Sequence, residues 1–210
     1  MNKFIPVLGV LGIGGVAGLG TALSHSMSDK ETIKDKLLRD GFKTLKGEAS
    51  EWSAILSSYK GTNNIWKFKK EHTGMEGEIQ NESELKRACS SVLKLDSSLS
   101  GEAYKSATKW CVVPKKVEEF VSGLLGVVES DESDVSQWKH NVDTYKGTKK
   151  ASENKYEWDD VVFGGSNNDK EDTKQLKKGC KTRREKLTYD VGFDNAIREV
   201  KERCLAKGRE

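Results

Sequence analysis

The chain is poor in the residues that usually mark active sites. It has three histidines, His25, His72 and His140, and none sits in a nucleophile or metal motif. It has four cysteines, and no two stand at the short C-x-x-C spacing of zinc sites. No catalytic signature is present, so neither an activity nor a cofactor is expected. Triads are recognised by geometry rather than spacing, and nothing in the sequence points to one. A large excess of either sign of charge is also missing. Thirty-six Lys and Arg stand against 33 Asp and Glu, for a net charge of +3. A nucleic-acid protein would show a clustered basic excess, so no nucleic-acid partner is expected. The one basic cluster, Lys177, Lys178, Lys181, Arg183, Arg184 and Lys186, reads as a solvated helix face, with contact to a polyanion or anionic lipid as the alternative. Hydrophobic residues make up 35% of the chain, and many of them lie before Ser24. What remains can build only small cores, which often need staples.

What is present is repetition. Trp52, Tyr59, Lys60, Gly61 and Thr62 return at the same spacing as Trp138, Tyr145, Lys146, Gly147 and Thr148. Leu85-Lys86-Arg87-Ala88-Cys89 returns as Leu176-Lys177-Lys178-Gly179-Cys180, and one further cysteine follows each, Cys111 or Cys204. Trp and Tyr number five each, so their coincidence is informative. The echo implies a duplicated unit. Trp52, Tyr59, Trp138 and Tyr145 are its expected core.

Helical spacing runs through both copies. Trp52, Ile55, Leu56 and Tyr59 form one stripe, and Gly61 suits a left-handed cap. Leu85, Ala88, Cys89 and Val92 form the next, followed by Tyr104, Ala107 and Cys111. After Pro114, the series Val117, Phe120, Val121, Leu124, Leu125 and Val128 predicts a fourth helix. In the second copy Trp138, Val142 and Tyr145 lead, then Leu176 and Cys180, then Phe193, Ala196, Val200 and Cys204. Strand alternation is weak except near Trp158 to Phe163. Ser28-Asp29-Lys30-Glu31 fits a capping box. The expected fold is mainly α, with an N-terminal transmembrane helix and two small helical units carrying long polar loops. The expected divisions are an N-terminal segment 1–27, a juxtamembrane connector 28–47, a first unit 48–128, an acidic link 129–134 and a second unit 135–210. Trp66 and Trp158, one in each long loop, read as core anchors.

The cysteines fall as two pairs, each on successive predicted helices. Cys89–Cys111 and Cys180–Cys204 are the simplest disulfides, and loops of that size stabilise by about 3 kcal/mol each. They require an oxidising compartment. Buried free thiols remain an alternative, and zinc is disfavoured by the spacing.

Residues 4–23 contain ten Leu, Ile, Val or Phe, six glycines and no charge. As a helix they span about 30 Å, the thickness of a bilayer core. The segment reads as an uncleaved single-pass anchor, with a cleaved signal peptide as its rival. Gly14, Gly18 and Ala22 form a small-residue ridge suited to weak self-association, although glycine abundance alone also accounts for it. Gly12-Ile13-Gly14-Gly15-Val16-Ala17 matches the dinucleotide fingerprint, with Asp29 or Glu31 at ribose distance. A cytosolic dinucleotide-binding enzyme is therefore the competing expectation. It needs alternating strands and helices downstream, which the polar repeats do not supply.

The order of a Gly-rich apolar N-terminus, Trp52, Leu85-Lys86-Arg87-Ala88-Cys89 and Trp110-Cys111-Val112-Val113-Pro114 resembles paralogous families of hypothetical proteins in haemotropic mycoplasmas. The second unit departs from the pattern, because Cys204 follows Arg203 and no proline comes after it. The resemblance implies a protein anchored in the cell membrane, its C-terminal region extracellular and facing a host surface protein. It implies an interaction or antigenic role and no known activity.

Overall fold

A computed structural model of the chain describes residues 30–131, 133–149, 156–164 and 168–206. The apolar segment 4–23, with its small-residue ridge and glycine fingerprint, lies outside the described residues. So do Ser28 and Asp29. Among the described residues the protein is mainly helical: α1 (Ile33–Arg39), α2 (Trp52–Tyr59), α3 (Lys70–Thr73), α4 (Glu82–Val92), α5 (Gly101–Trp110), a 3-10 turn (Val117–Phe120), α6 (Val135–Lys146), α7 (Asp169–Arg184) and α8 (Phe193–Arg203). Extended pairing is limited there to four isolated bridges. The alternation at Trp158 to Phe163 does not make a strand. It turns Trp158, Val161 and Phe163 into a core.

The duplication is structural, and its frame differs from the expected one. One core gathers Ile33, Leu37, Trp52, Ile55, Tyr59, Leu85, Cys89, Trp110 and Cys111. The other gathers Val117, Val121, Leu125, Trp138, Tyr145, Trp158, Leu176, Cys180 and Cys204. The same backbone hydrogen bonds recur in both. Ile33 N donates to Leu95 O at 2.9 Å, and Val117 N to Lys186 O at 2.9 Å. Leu45 N donates to Cys111 O at 2.9 Å, and Leu125 N to Cys204 O at 3.0 Å. The bridges repeat too, Thr44 with Val112 and Leu124 with Leu205. The first unit therefore runs over 30–113 and the second over 114–206.

This corrects three expectations. Residues 30–47 are not a free connector, because Ile33 and Leu37 are fully buried in the first core. Residues 117–128 open the second unit rather than close the first. They also do not continue as a helix beyond the 3-10 turn. Val121 is extended (φ −130°, ψ 119°) and Gly123 is left-handed (φ 74°). Four valines and two glycines make a poor helix, and cross-chain hydrogen bonds take up the backbone instead. The acidic residues 129–134 consequently sit inside the second unit.

Local signals also shift. α1 begins one turn after the expected box: Thr32 Oγ1 accepts from Asp35 N at 3.2 Å, and Asp35 Oδ2 accepts from Thr32 N at 3.2 Å. Gly41 ends it with φ 80°. Gly61 is not left-handed; α2 stops at Tyr59 with an ordinary helical Lys60.

The units meet through aromatic and charged side chains. Phe42 of the first lies 5.9 Å from Phe120, which lies 5.4 Å from Phe193. Ser58 Oγ donates to Tyr189 O at 2.6 Å. Lys109, buried at the end of α5, lies 2.9 Å from Asp194 Oδ2 and over the Phe193 ring. Burial pulls the Lys109 pKa below the usual lysine value, and Asp194 opposes that shift.

Candidate functional site

The four cysteines come together as two pairs. Cys89 bridges Cys111 across α4 and the end of α5, with Cα atoms 5.4 Å apart. Cys180 bridges Cys204 across α7 and the end of α8, with Cα atoms 5.9 Å apart. All four lie within the cores, at most 3% exposed. This burial shields them from thiols and reductants in solution, which suits a structural role rather than exchange chemistry.

The recurring Trp and Tyr are positioned alike. Trp52 Nε1 donates to Lys46 O at 2.7 Å, and Trp138 Nε1 to Gly126 O at 3.1 Å. The lysine of each Leu-Lys-x-x-Cys element lies over that indole, Lys86 over Trp52 at 5.6 Å and Lys177 over Trp138 at 5.8 Å. The hydroxyl of Tyr59 accepts from Phe68 N at 3.0 Å, and that of Tyr145 from Trp158 N at 2.8 Å. Burial raises both tyrosines, Tyr145 to about 12, while the amide donors pull the other way. These residues build the fold of each unit.

The second unit carries more buried charge. The basic cluster is not a single solvated face. Lys177 Nζ donates to Val128 O at 3.0 Å and to Asp131 O at 2.6 Å, drawing the acidic stretch onto α7. Arg183 holds both oxygens of Asp160 at 2.9 and 3.0 Å, reaches Glu199 at 2.9 Å and lies 3.7 Å over Trp158. Its hydrogen bonds hold the Asp160 pKa below the usual value against the effect of burial. Arg184 donates to Leu125 O at 2.8 Å. Of the cluster, only Lys178 and Lys181 are exposed. Asp172, buried in α7, pairs with Lys146 at 2.7 Å. Sequence reading missed Asp172, and the only signal was an acid one turn before Leu176.

A surface pocket of about 180 Å³ opens in the first unit beside Tyr59 and Lys60. Phe68 and Ile79 line its apolar side, and Lys67 and Lys70 bring further positive charge. His72 and His140 do not share a site, and among the described residues no cluster of His, Cys, Asp or Glu is suited to a metal ion. Among those residues no helix is long and apolar enough to cross a membrane. No protein-family model matches the chain, and searches of curated proteins and of solved structures find no significant match.

Proposed function

We propose that the chain is a membrane-anchored surface interaction module without catalysis, tethered through residues 4–23 and carrying residues 30–206 outside the cell. The observation that carries this reading is the pairing of all four cysteines, one bridge inside each small core. Such bridges persist in oxidising compartments and are rare in the cytosol. A 20-residue apolar segment ahead of the first unit supplies a route there. The resemblance to hypothetical proteins of haemotropic mycoplasmas agrees with this placement, and a host surface protein is the partner class it names. Self-association through Gly14, Gly18 and Ala22 would bring two copies together within the bilayer.

The dinucleotide reading receives no comparable support. Its fold needs a parallel sheet, and the described residues carry isolated bridges only.

The test is protease shaving of intact cells bearing a C-terminal tag, with fractionation of unshaved cells alongside. A tag that is membrane-associated and lost on shaving is expected. A tag that fractionates as soluble, or is membrane-bound but protected, contradicts the proposal.

A further inference from the structure

The second unit fills a place that the first leaves open. In the second unit the Phe163 ring lies 5.6 Å from the Tyr145 ring. Lys146 Nζ lies 5.6 Å from the Phe163 centroid and 2.7 Å from the buried Asp172 carboxylate. An aromatic ring and an acid thus occupy the Tyr145–Lys146 pair together.

Tyr59 and Lys60 are the counterparts of that pair, because both follow their tryptophan at the same spacing. Counted back from Leu85, Asn81 stands where Asp172 stands before Leu176. Asn81 carries no charge, and its side chain is committed to capping α4 through Glu84 N at 3.0 Å. Lys60 Nζ reaches the Gln80 carbonyl at 3.5 Å and makes no ion pair among the described residues. Tyr59 meets the rings of Phe68 at 5.9 Å and Trp110 at 5.2 Å, and among the described residues no third ring joins them as Phe163 joins Tyr156 and Trp158 around Tyr145. The pocket of about 180 Å³ opens there instead, over Tyr59, Lys60 and Phe68. It is smaller than the roughly 300 Å³ of the least drug-sized sites, so it suits a group of side-chain size. Three lysines line it; Lys67 lies 3.8 Å from Glu78 and Lys70 pairs with Glu76, so Lys60 is the lining lysine with no acid partner among the described residues. That one uncompensated cation favours an anion.

We propose that this pocket binds an aromatic carboxylate, with its ring against Tyr59 and Phe68 and its acid on Lys60. The second unit shows the arrangement with its own Phe163 and Asp172. A free aromatic acid carries this chemistry, and so does an aromatic residue beside an acidic one in a polypeptide. The proposal gives the interaction module a ligand chemistry and stands whether or not the chain is exported, so its failure and that of the export reading are separate results.

The experiment is a titration of the full oxidised chain with hydrocinnamate, read by backbone amide NMR. Saturable shifts at Tyr59, Lys60 and residues 77–80 are expected at millimolar ligand. Acetate, which lacks the ring, and hydrocinnamyl alcohol, which lacks the acid, should bind more weakly. Lys60→Met alters an exposed side chain, and it should weaken hydrocinnamate about fivefold while the remaining spectrum is preserved. Tighter binding of a blocked Phe-Asp dipeptide assigns the pocket to a polypeptide segment, and weaker binding assigns it to a free acid. An absence of saturable shifts, equal binding of the alcohol, or an affinity unchanged in Lys60→Met overturns the proposal.

Discussion

The hydroxyl of Tyr145 accepts a hydrogen bond from the backbone N–H of Trp158 at 2.8 Å. That contact pins the second long loop onto α6, as Tyr59 pins Phe68 in the first unit. A buried amide without a partner costs about 1–3 kcal/mol. Tyr145→Phe keeps the ring packing and removes the acceptor. It should lower unfolding free energy by that amount in a urea titration, with little change in helix content.

The same hydroxyl makes stability depend on alkaline pH. Its folded pKa is raised by burial from 10.0 to about 12. Between those values the unfolded chain has lost the proton and the folded chain keeps it. The native state binds more protons there, so stability falls as pH rises. The contribution is complete below pH 10 and is lost as pH approaches about 12. Urea midpoints measured across this range should decline in the native protein and decline less in Tyr145→Phe. Tyr59 and Tyr104, both also raised, leave a residual slope in the variant.

Lys86 and Lys177 occupy one repeat position with unequal consequences. Lys177 is buried and donates to two backbone carbonyls, whereas Lys86 is a third exposed and pairs with Glu82 at 3.2 Å. Lys177→Met should cost about 1.5–3 kcal/mol, the range for hydrogen bonds to a charged group. Lys86→Met should cost under about 1 kcal/mol, as for exposed ion pairs. Denaturant unfolding of both variants checks the order. Equal losses would show that the stacking over Trp52 and Trp138, shared by both, dominates.

Gly179 is the second unit's replacement for Ala88. A Cβ there would stand 2.3 Å from Val161 Cγ2 and 3.1 Å from Trp158 Cε3. Gly179→Ala gains about 1 kcal/mol of helix preference, but overpacking costs about 1–3 kcal/mol. Net destabilisation is expected. Adding Val161→Ala should recover part of it, with a coupling of about 0.5–3 kcal/mol in a double-mutant cycle. Additive losses would mean that the clash is not with Val161.

Much of the fold was legible because the strongest signals were local. The stripes from Trp52, Leu85, Trp138, Leu176 and Phe193 became α2, α4, α6, α7 and α8. The recurrence of Trp, Tyr and Leu-Lys-x-x-Cys marked the duplication. The frame of the units was not legible, because it depends on hydrogen bonds between segments far apart, such as Leu45 with Cys111 and Leu125 with Cys204. The first elements of the units, α1 and the 3-10 turn, share no side-chain motif to align. The apolar run from Val117 to Val128 imitated a helix, and tertiary partners won over its periodicity. Asp172 and Lys177 were hidden for another reason. A charged residue on a helix reads as exposed until its buried partner is known. The pocket beside Lys60 was hidden because it is walled by the long polar loop, whose residues carry no periodic signal.

The central claim is that each unit is closed by its own disulfide in an oxidising compartment. The most direct measurement is rapid alkylation of the protein in denaturant, without reductant, straight from the cells that make it. Peptide mapping by mass spectrometry then follows. The account predicts no alkylated cysteine and two linked peptides, Cys89 with Cys111 and Cys180 with Cys204. Four alkylated thiols, or a bridge between the two units, would contradict it.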